Sequence, residues 1–223
     1  TAALVETLEL RAADETVAEI SALLTRFGID KDTLVAITAD HGEVFSHHHT
    51  YRIGRHLTRH HHGWSLYDEV LAVPLIVVGP GVPRGRRVED PFSHLDLMPT
   101  LVDLAGLPLA AGWRGTSRKQ LLFDPGEPPN IAAQIQTPIV SQGRCSAALR
   151  RGNYKYIKRW GPAATVGKNG KILDLRAELY DVSRDPAENR NLAFRHPQRV
   201  KAMDHQLQKL LGWSKTGAGS RAK

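Results

Sequence analysis

Histidine serves both as a metal ligand and as a proton carrier near neutral pH, and this chain concentrates it. Eight of its eleven histidines fall between His41 and His62. The stretch opens with Thr38-Ala-Asp-His-Gly-Glu43, directly after an apolar run. Asp40 and His41 offer a hard carboxylate oxygen and a neutral imidazole from one tight turn, which is metal-ligand chemistry. Gly42 lets the backbone pass close to whatever is bound. Taken alone, the tripeptide is explained as well by Asp40 capping the next turn and His41 being merely polar. The triplets His47–His49 and His60–His62 read mostly as solvated loop segments that bind transition metals adventitiously. Cys145 is the single cysteine. It sits in an alternating, strand-like stretch with no activating base close in sequence, so it reads as a half-buried strand residue and not as a nucleophile.

The elements that must position these residues follow from periodicity. Val17, Ile20, Leu24 and Phe27 recur at helical spacing over 14–27, with Gly28 placed to end the helix. Thr33–Thr38 reads as a buried strand, and Ala72–Gly79 as a second, stopped by Gly79-Pro-Gly81. Continuous apolar strands that follow helices suggest parallel pairing in an α/β sheet, whose carboxyl edge is a common place for sites. Leu95–Gly106 is a short amphipathic helix. Gly, Pro and Arg crowd 108–130, which reads as a mobile connecting loop. Strand-like pieces follow at Ile131–Ile135, Ser146–Leu149, Tyr154–Ile157 and Glu178–Val182, with a hairpin turn at Arg151-Gly-Asn153 and a closing helix over 197–211. The expected organisation is an α/β portion over 1–110, a loop over 111–130, a small α+β subdomain over 131–212 and a flexible tail over 213–223.

With 223 residues, 41% hydrophobic and 24% charged, the chain has the composition of a soluble globular protein. No apolar run approaches the ~20 residues that cross a bilayer. The formal charge of +7 is spread along the chain, without zinc-finger spacing or aromatic RNA-binding motifs. That excludes nucleic acid as the expected partner and favours a small anionic substrate such as a sulfate or phosphate ester.

An ordered series of motifs closely resembles the second half of the sulfatase family, in the alkaline phosphatase superfamily. It comprises Leu34-Val-Ala-Ile-Thr-Ala-Asp-His-Gly-Glu43, His62-Gly-Trp-Ser-Leu-Tyr-Asp-Glu69, Val73-Pro-Leu-Ile-Val77, and Ser93 through Gly106. It continues through Ala148-Leu-Arg-Arg-Gly-Asn-Tyr-Lys-Tyr-Ile157 and Glu178 through Leu192. The resemblance implies part of an alkaline-phosphatase-like sandwich with a mostly parallel sheet, followed by a small C-terminal antiparallel sheet with a closing helix. It implies a sulfuric ester hydrolase. Asp40 and His41 match ligands of a divalent metal, usually Ca2+. His62 matches the position that binds the sulfate and helps the leaving oxygen. His48 falls where many relatives carry a histidine in Gly-Glu-His-Gly, but here the run is Ser46-His-His-His49. Leu66–Glu69 and Tyr180–Leu192 look structural in the family.

The resemblance also implies a nucleophile, a formylglycine made within a Cys/Ser-x-Pro-x-Arg motif, and an Asp-Asp pair completing the metal site. Neither occurs in this sequence. The chain is therefore expected to be a fragment whose partner is the missing N-terminal half of the same domain, with weak metal affinity and no turnover alone. A phosphonate-monoester or phosphodiester hydrolase on the same scaffold, and an inactive pseudoenzyme acting as a binding module, are the alternatives.

Overall fold

The structure is a computed structural model that describes residues 2–46, 48–50, 52–53, 56–57, 62, 65–88, 90–123, 146–159, 164–166, 172–174 and 177–212. The chain divides into two compact units. One comprises Thr1–Thr38 with Leu75–Pro125, the other Ala39–Pro74 with Gly126–Lys223.

In the first unit, helix α1 spans Ala2–Arg26. It starts well before the stretch marked by apolar spacing, because Ala, Leu and Glu crowd its first turns and carry high intrinsic helix propensity. Its end is built as anticipated. Gly28 adopts φ 69°, and the Ile29 N–H reaches back to Leu24 O at 3.1 Å, a Schellman-type closure that glycine allows without strain. Strands β1 (Val35–Thr38) and a later strand, Leu75–Val78, pair antiparallel from Val35↔Val78 to Thr38↔Leu75. The pairing of these two runs with each other is thus antiparallel, where their apolar composition suggested strands of a parallel α/β sheet. Apolar runs report burial and not direction, and the one helix described between these strands, Asp68–Leu71, has four residues, too few for a parallel crossover. The parallel sheet is not seen among the described residues.

Also in the first unit, the helix His94–Leu104 begins at Ser93, whose hydroxyl accepts from Leu95 N at 3.3 Å. The residues after it are not a loose connection. Asp96 accepts from Thr116 N at 2.8 Å and from Arg118 Nε at 3.0 Å, and Ser117 Oγ donates to Asp103 at 2.5 Å. These bonds hold a turn of helix, Gln120–Phe123, with Leu121 buried. The expected loop over 111–130 is thus structured in its first part, because acidic side chains of one helix satisfy the backbone of the segment that follows.

In chain order the elements are β2 (Arg52–Ile53), β3 (His56–Leu57), α2 (Asp68–Leu71), β4 (Leu75–Val78), α3 (His94–Leu104), α4 (Gln120–Phe123), β5 (Ser146–Arg151), β6 (Tyr154–Arg159), β7 (Ala164–Val166), β8 (Ile172–Asp174), β9 (Ala177–Asp181) and α5 (Pro197–Leu210). The second unit is organised by the antiparallel sheet β5-β6-β9. Arg151 pairs with Tyr154 across a two-residue turn in which Gly152 has φ 56°. That is the hairpin expected at Arg151-Gly-Asn153. Alternation sends Ala148, Ile157 and Tyr180 to one face, where Leu66 and Tyr67 pack. Ala147, Leu149, Tyr156 and Leu179 face the other way, onto Met203 and Leu207 of α5. Both faces are covered, so these short strands are buried nearly throughout. The small antiparallel sheet and its closing helix are as anticipated. Ile131–Ile135, Cys145 and the tail lie outside the described residues.

Candidate functional site

All of the sequence-predicted site residues lie in the second unit. Past the end of β1 the chain enters a loop held by hydrogen bonds to α2. Gly42 N donates to Val70 O at 2.8 Å, and a Cβ at position 42 would overlap the Glu69 carbonyl. Glycine is therefore required by close approach, as its place in Asp-His-Gly suggested. The Glu69 carboxylate accepts from Phe45 N at 3.0 Å and Ser46 N at 2.9 Å, and it also bonds His49 Nδ1. One carboxylate thus holds the backbone just before the histidine triplet and the ring of its last member.

This loop brings His41 and His62 together. Their rings stack with centroids 3.8 Å apart and planes inclined by 26°. His62 Nδ1 lies 2.8 Å from Glu43 Oε1, while His41 Nδ1 bonds Gly42 O at 2.9 Å. A carbonyl only accepts, so Nδ1 of His41 carries the proton and Nε2 keeps its lone pair for a ligand. Asp40 is more peripheral. Its Oδ1 accepts from His41 N at 2.9 Å, its Oδ2 lies 3.7 Å from His41 Nε2, and its side chain is 89% exposed. His41, Glu43 and His62 each direct one ligand atom into a cluster within 4.8 Å. Two imidazoles and one carboxylate are a donor set compatible with a divalent cation.

His49 corrects the reading of its triplet as solvated loop. It is buried, bridging Glu69 and the Glu188 carbonyl, and it stacks on Tyr67 with centroids 3.6 Å apart. His48 is exposed, and its backbone N–H caps onto Ser46 Oγ at 3.2 Å. His47, His60 and His61 lie outside the described residues.

Beneath the loop lies a charged layer that sequence reasoning did not single out. Lys155 Nζ is 2.6 Å from Asp68 Oδ1 and 2.9 Å from Glu188 Oε1. Glu178 accepts from Tyr67, Tyr180 and Arg159 at 2.5, 2.6 and 2.6 Å. Burial, reinforced by the Glu178 charge, pushes both phenols far above their usual range. Burial likewise raises the Glu188 carboxyl, against the Lys155 charge beside it. The signal that hinted at this layer was the pair of segments Leu66–Glu69 and Tyr180–Leu192, both expected to be structural, and Leu66, Tyr67, Tyr180 and Val182 do form one core.

Residues 9–107 match the family model described as Sulfatase. Sulfatase-family likeness extends along the chain: arylsulfatase K of Bos taurus is 27% identical over 214 residues, covering 92% of this chain and 36% of the relative. The chain thus spans about a third of the length of the curated relatives it matches. Among solved structures, one from a Bacteroides thetaiotaomicron locus for metabolism of multiple glycosaminoglycans aligns with TM-score 0.64 at 22% identity. It covers 89% of this chain and 42% of its own. The phosphonate monoester hydrolase of Agrobacterium radiobacter aligns with TM-score 0.59 at 24% identity, covering 94% and 43%. These likenesses show the fold alone, one shared with the sulfatase and phosphonate hydrolase structures it aligns with. Among the described residues no helix is long and apolar enough to cross a membrane.

Proposed function

We propose that the protein to which this chain belongs hydrolyses sulfuric esters with a divalent metal, most simply Ca2+, and that Asp40 and His41 contribute to holding that metal. The observation supporting this reading is the stacked pair His41–His62 within the segment that matches the sulfatase family model. Asp40 supplies an oxygen, and His41 an Nε2 lone pair freed by the Nδ1–Gly42 bond. Calcium takes six to eight oxygen ligands, so in this reading the remainder come from sequence beyond these 223 residues. So do the nucleophile and the parallel strands of the sheet. When bound, such an ion polarises the sulfuryl oxygens as a Lewis acid.

His62 acts on the substrate in this reading. Its Nδ1 is oriented by Glu43, leaving Nε2 to bond the ester oxygen and pass a proton to the departing alkoxide. General acid assistance of this kind contributes ~10²–10⁴ in rate. Glu69, His49 and Gly42 keep the loop in place while this happens, and the dispersed positive charge of the chain favours an anionic ester.

The test is hydrolysis of 4-nitrophenyl sulfate, 4-nitrophenyl phosphate and a phenylphosphonate monoester by the full-length protein, with Ca2+ and after chelation. Preferred sulfate turnover that Asp40→Asn and His62→Ala both abolish supports the reading. Preferred phosphonate turnover replaces it with the phosphonate-monoester alternative. Asp40-dependent Ca2+ binding without turnover on any ester replaces it with a binding module.

A further inference from the structure

We propose that His41, Glu43 and His62 form a site for one borderline divalent ion of the zinc type, with a ligand set different from the one calcium takes. The inference needs only the local geometry and does not rest on the ester-hydrolysis reading. Three ligand atoms, two imidazole nitrogens and one carboxylate oxygen, already lie within 4.8 Å of one another. Two histidines and a glutamate are a sufficient protein set for zinc, leaving a fourth position for water or an anion. The same three donors suit calcium poorly, because two of them are nitrogen and calcium takes oxygen.

The cluster is arranged in advance. His62 Nδ1 and Glu43 Oε1 are 2.8 Å apart, sharing a proton in the position that an ion displaces. His41 presents Nε2 because Gly42 O occupies its Nδ1. Stacking at 3.8 Å holds the two rings side by side. The backbone beneath them is tied to α2 through Gly42 and Glu69, so little ordering remains to be done when the ion arrives. Asp40 Oδ2, 3.7 Å from His41 Nε2, places a second negative charge beside the first, matching a dication. Side-chain exposures of 38% for His41, 31% for Glu43 and 54% for His62 leave the cluster open to ions from solvent. Occupancy by zinc engages His41 and His62 together and is exclusive with the calcium-ligand role of the first and the proton-donor role of the second.

The deciding experiment is calorimetric titration of the full-length protein with ZnCl2 and, separately, with CaCl2. It is run on the parent and on a background in which His47, His48, His60 and His61 are all replaced by alanine. The expected result is one zinc bound in the four-alanine protein, with any additional weak sites confined to the parent, and that one zinc weakened at least ~10-fold by Glu43→Gln and by His62→Ala. X-ray absorption on the zinc-loaded parent should show two imidazole nitrogens with oxygen completing the shell. This readout holds even if His62→Ala proves unfolded by circular dichroism. The proposal is overturned if zinc binding vanishes in the four-alanine background, if Glu43→Gln leaves affinity unchanged, or if the absorption spectrum shows fewer than two imidazoles. Calcium affinity and its dependence on Asp40 report on the hydrolase reading alone, so either idea can fail without the other.

Discussion

Lys155 and Glu188 form an ion pair at 2.9 Å with both side chains only 1% exposed. Asp68 completes the arrangement, its carboxylate 2.6 Å from Lys155 Nζ and its backbone N–H donating to Glu188 Oε2 at 2.5 Å. Removing the cation leaves the buried Glu188 carboxylate without its ion-pair partner and Asp68, among the described residues, with Arg150 alone, 3.6 Å from its Oδ2. Lys155→Ala is therefore expected to cost about 3–5 kcal/mol, a large part of the whole stability of a typical domain. Urea unfolding followed by tryptophan fluorescence measures it. A loss below about 1 kcal/mol would show that the layer contributes little.

Glu69 exerts its effect through the backbone. Replacement by glutamine keeps the shape but removes the charge that accepts from Phe45 N, Ser46 N and His49. Hydrogen bonds to charged groups contribute about 1.5–3 kcal/mol. Amide exchange in 44–50 should accelerate correspondingly in Glu69→Gln, while exchange in the β5-β6 hairpin stays as it was. Equal acceleration in both places would mean that Glu69 supports the whole unit instead of the loop.

Gly42→Ala introduces a methyl group where the Glu69 carbonyl already sits. Overpacking against backbone costs about 1–3 kcal/mol, and the 42–46 segment must move away from α2. The expected signature is a shifted amide resonance at position 42, with loss of the ring-current shifts that the His41–His62 stack imposes. Retention of both would refute the close approach.

Alkaline pH should act through the buried phenols. Burial raises Tyr67, Tyr156 and Tyr180 above the ordinary tyrosine range, helped by Glu178 for the first and last and by Asp204 for Tyr156. A group whose folded value is raised contributes stability that is fully present below the unfolded value, about 10, and is lost as pH climbs towards the folded one. Stability should therefore fall above about pH 10, with these three phenols ionising together as the unit unfolds. Absorbance at 295 nm against pH, compared with circular dichroism, checks the coincidence. Phenolate signals for all five tyrosines before any unfolding would contradict it.

Local patterns in the sequence were good guides where the cause is local. The Arg151–Tyr154 hairpin announces itself by alternation and a glycine turn. The α1 terminus announces itself by Gly28, and the close approach of the loop to α2 by Gly42. What depends on distant partners was not legible. Nothing near His49 signals that Glu188, 139 residues away, accepts from its ring. Lys155 alternates with tyrosines and reads as surface, yet Asp68 and Glu188 make its burial tolerable. Strand direction was not legible for a related reason. β4 is apolar throughout, but Ile76 and Val78 are about half exposed within this chain, so its composition reports neither its partner nor its orientation.

The second unit is discontinuous, and this has a consequence for biosynthesis. Asp68 leaves the ribosome 120 residues before Glu188, the carboxylate that caps its backbone. At ~5–20 residues per second the interval is roughly 6–24 s. Throughout it the histidine-bearing loop exists without its support, exposing Leu66 and Tyr67 to solvent or to a chaperone. Nascent chains stalled before β9 should therefore be protease-sensitive around residues 40–70, and become resistant only once the acidic residues of the last quarter have emerged.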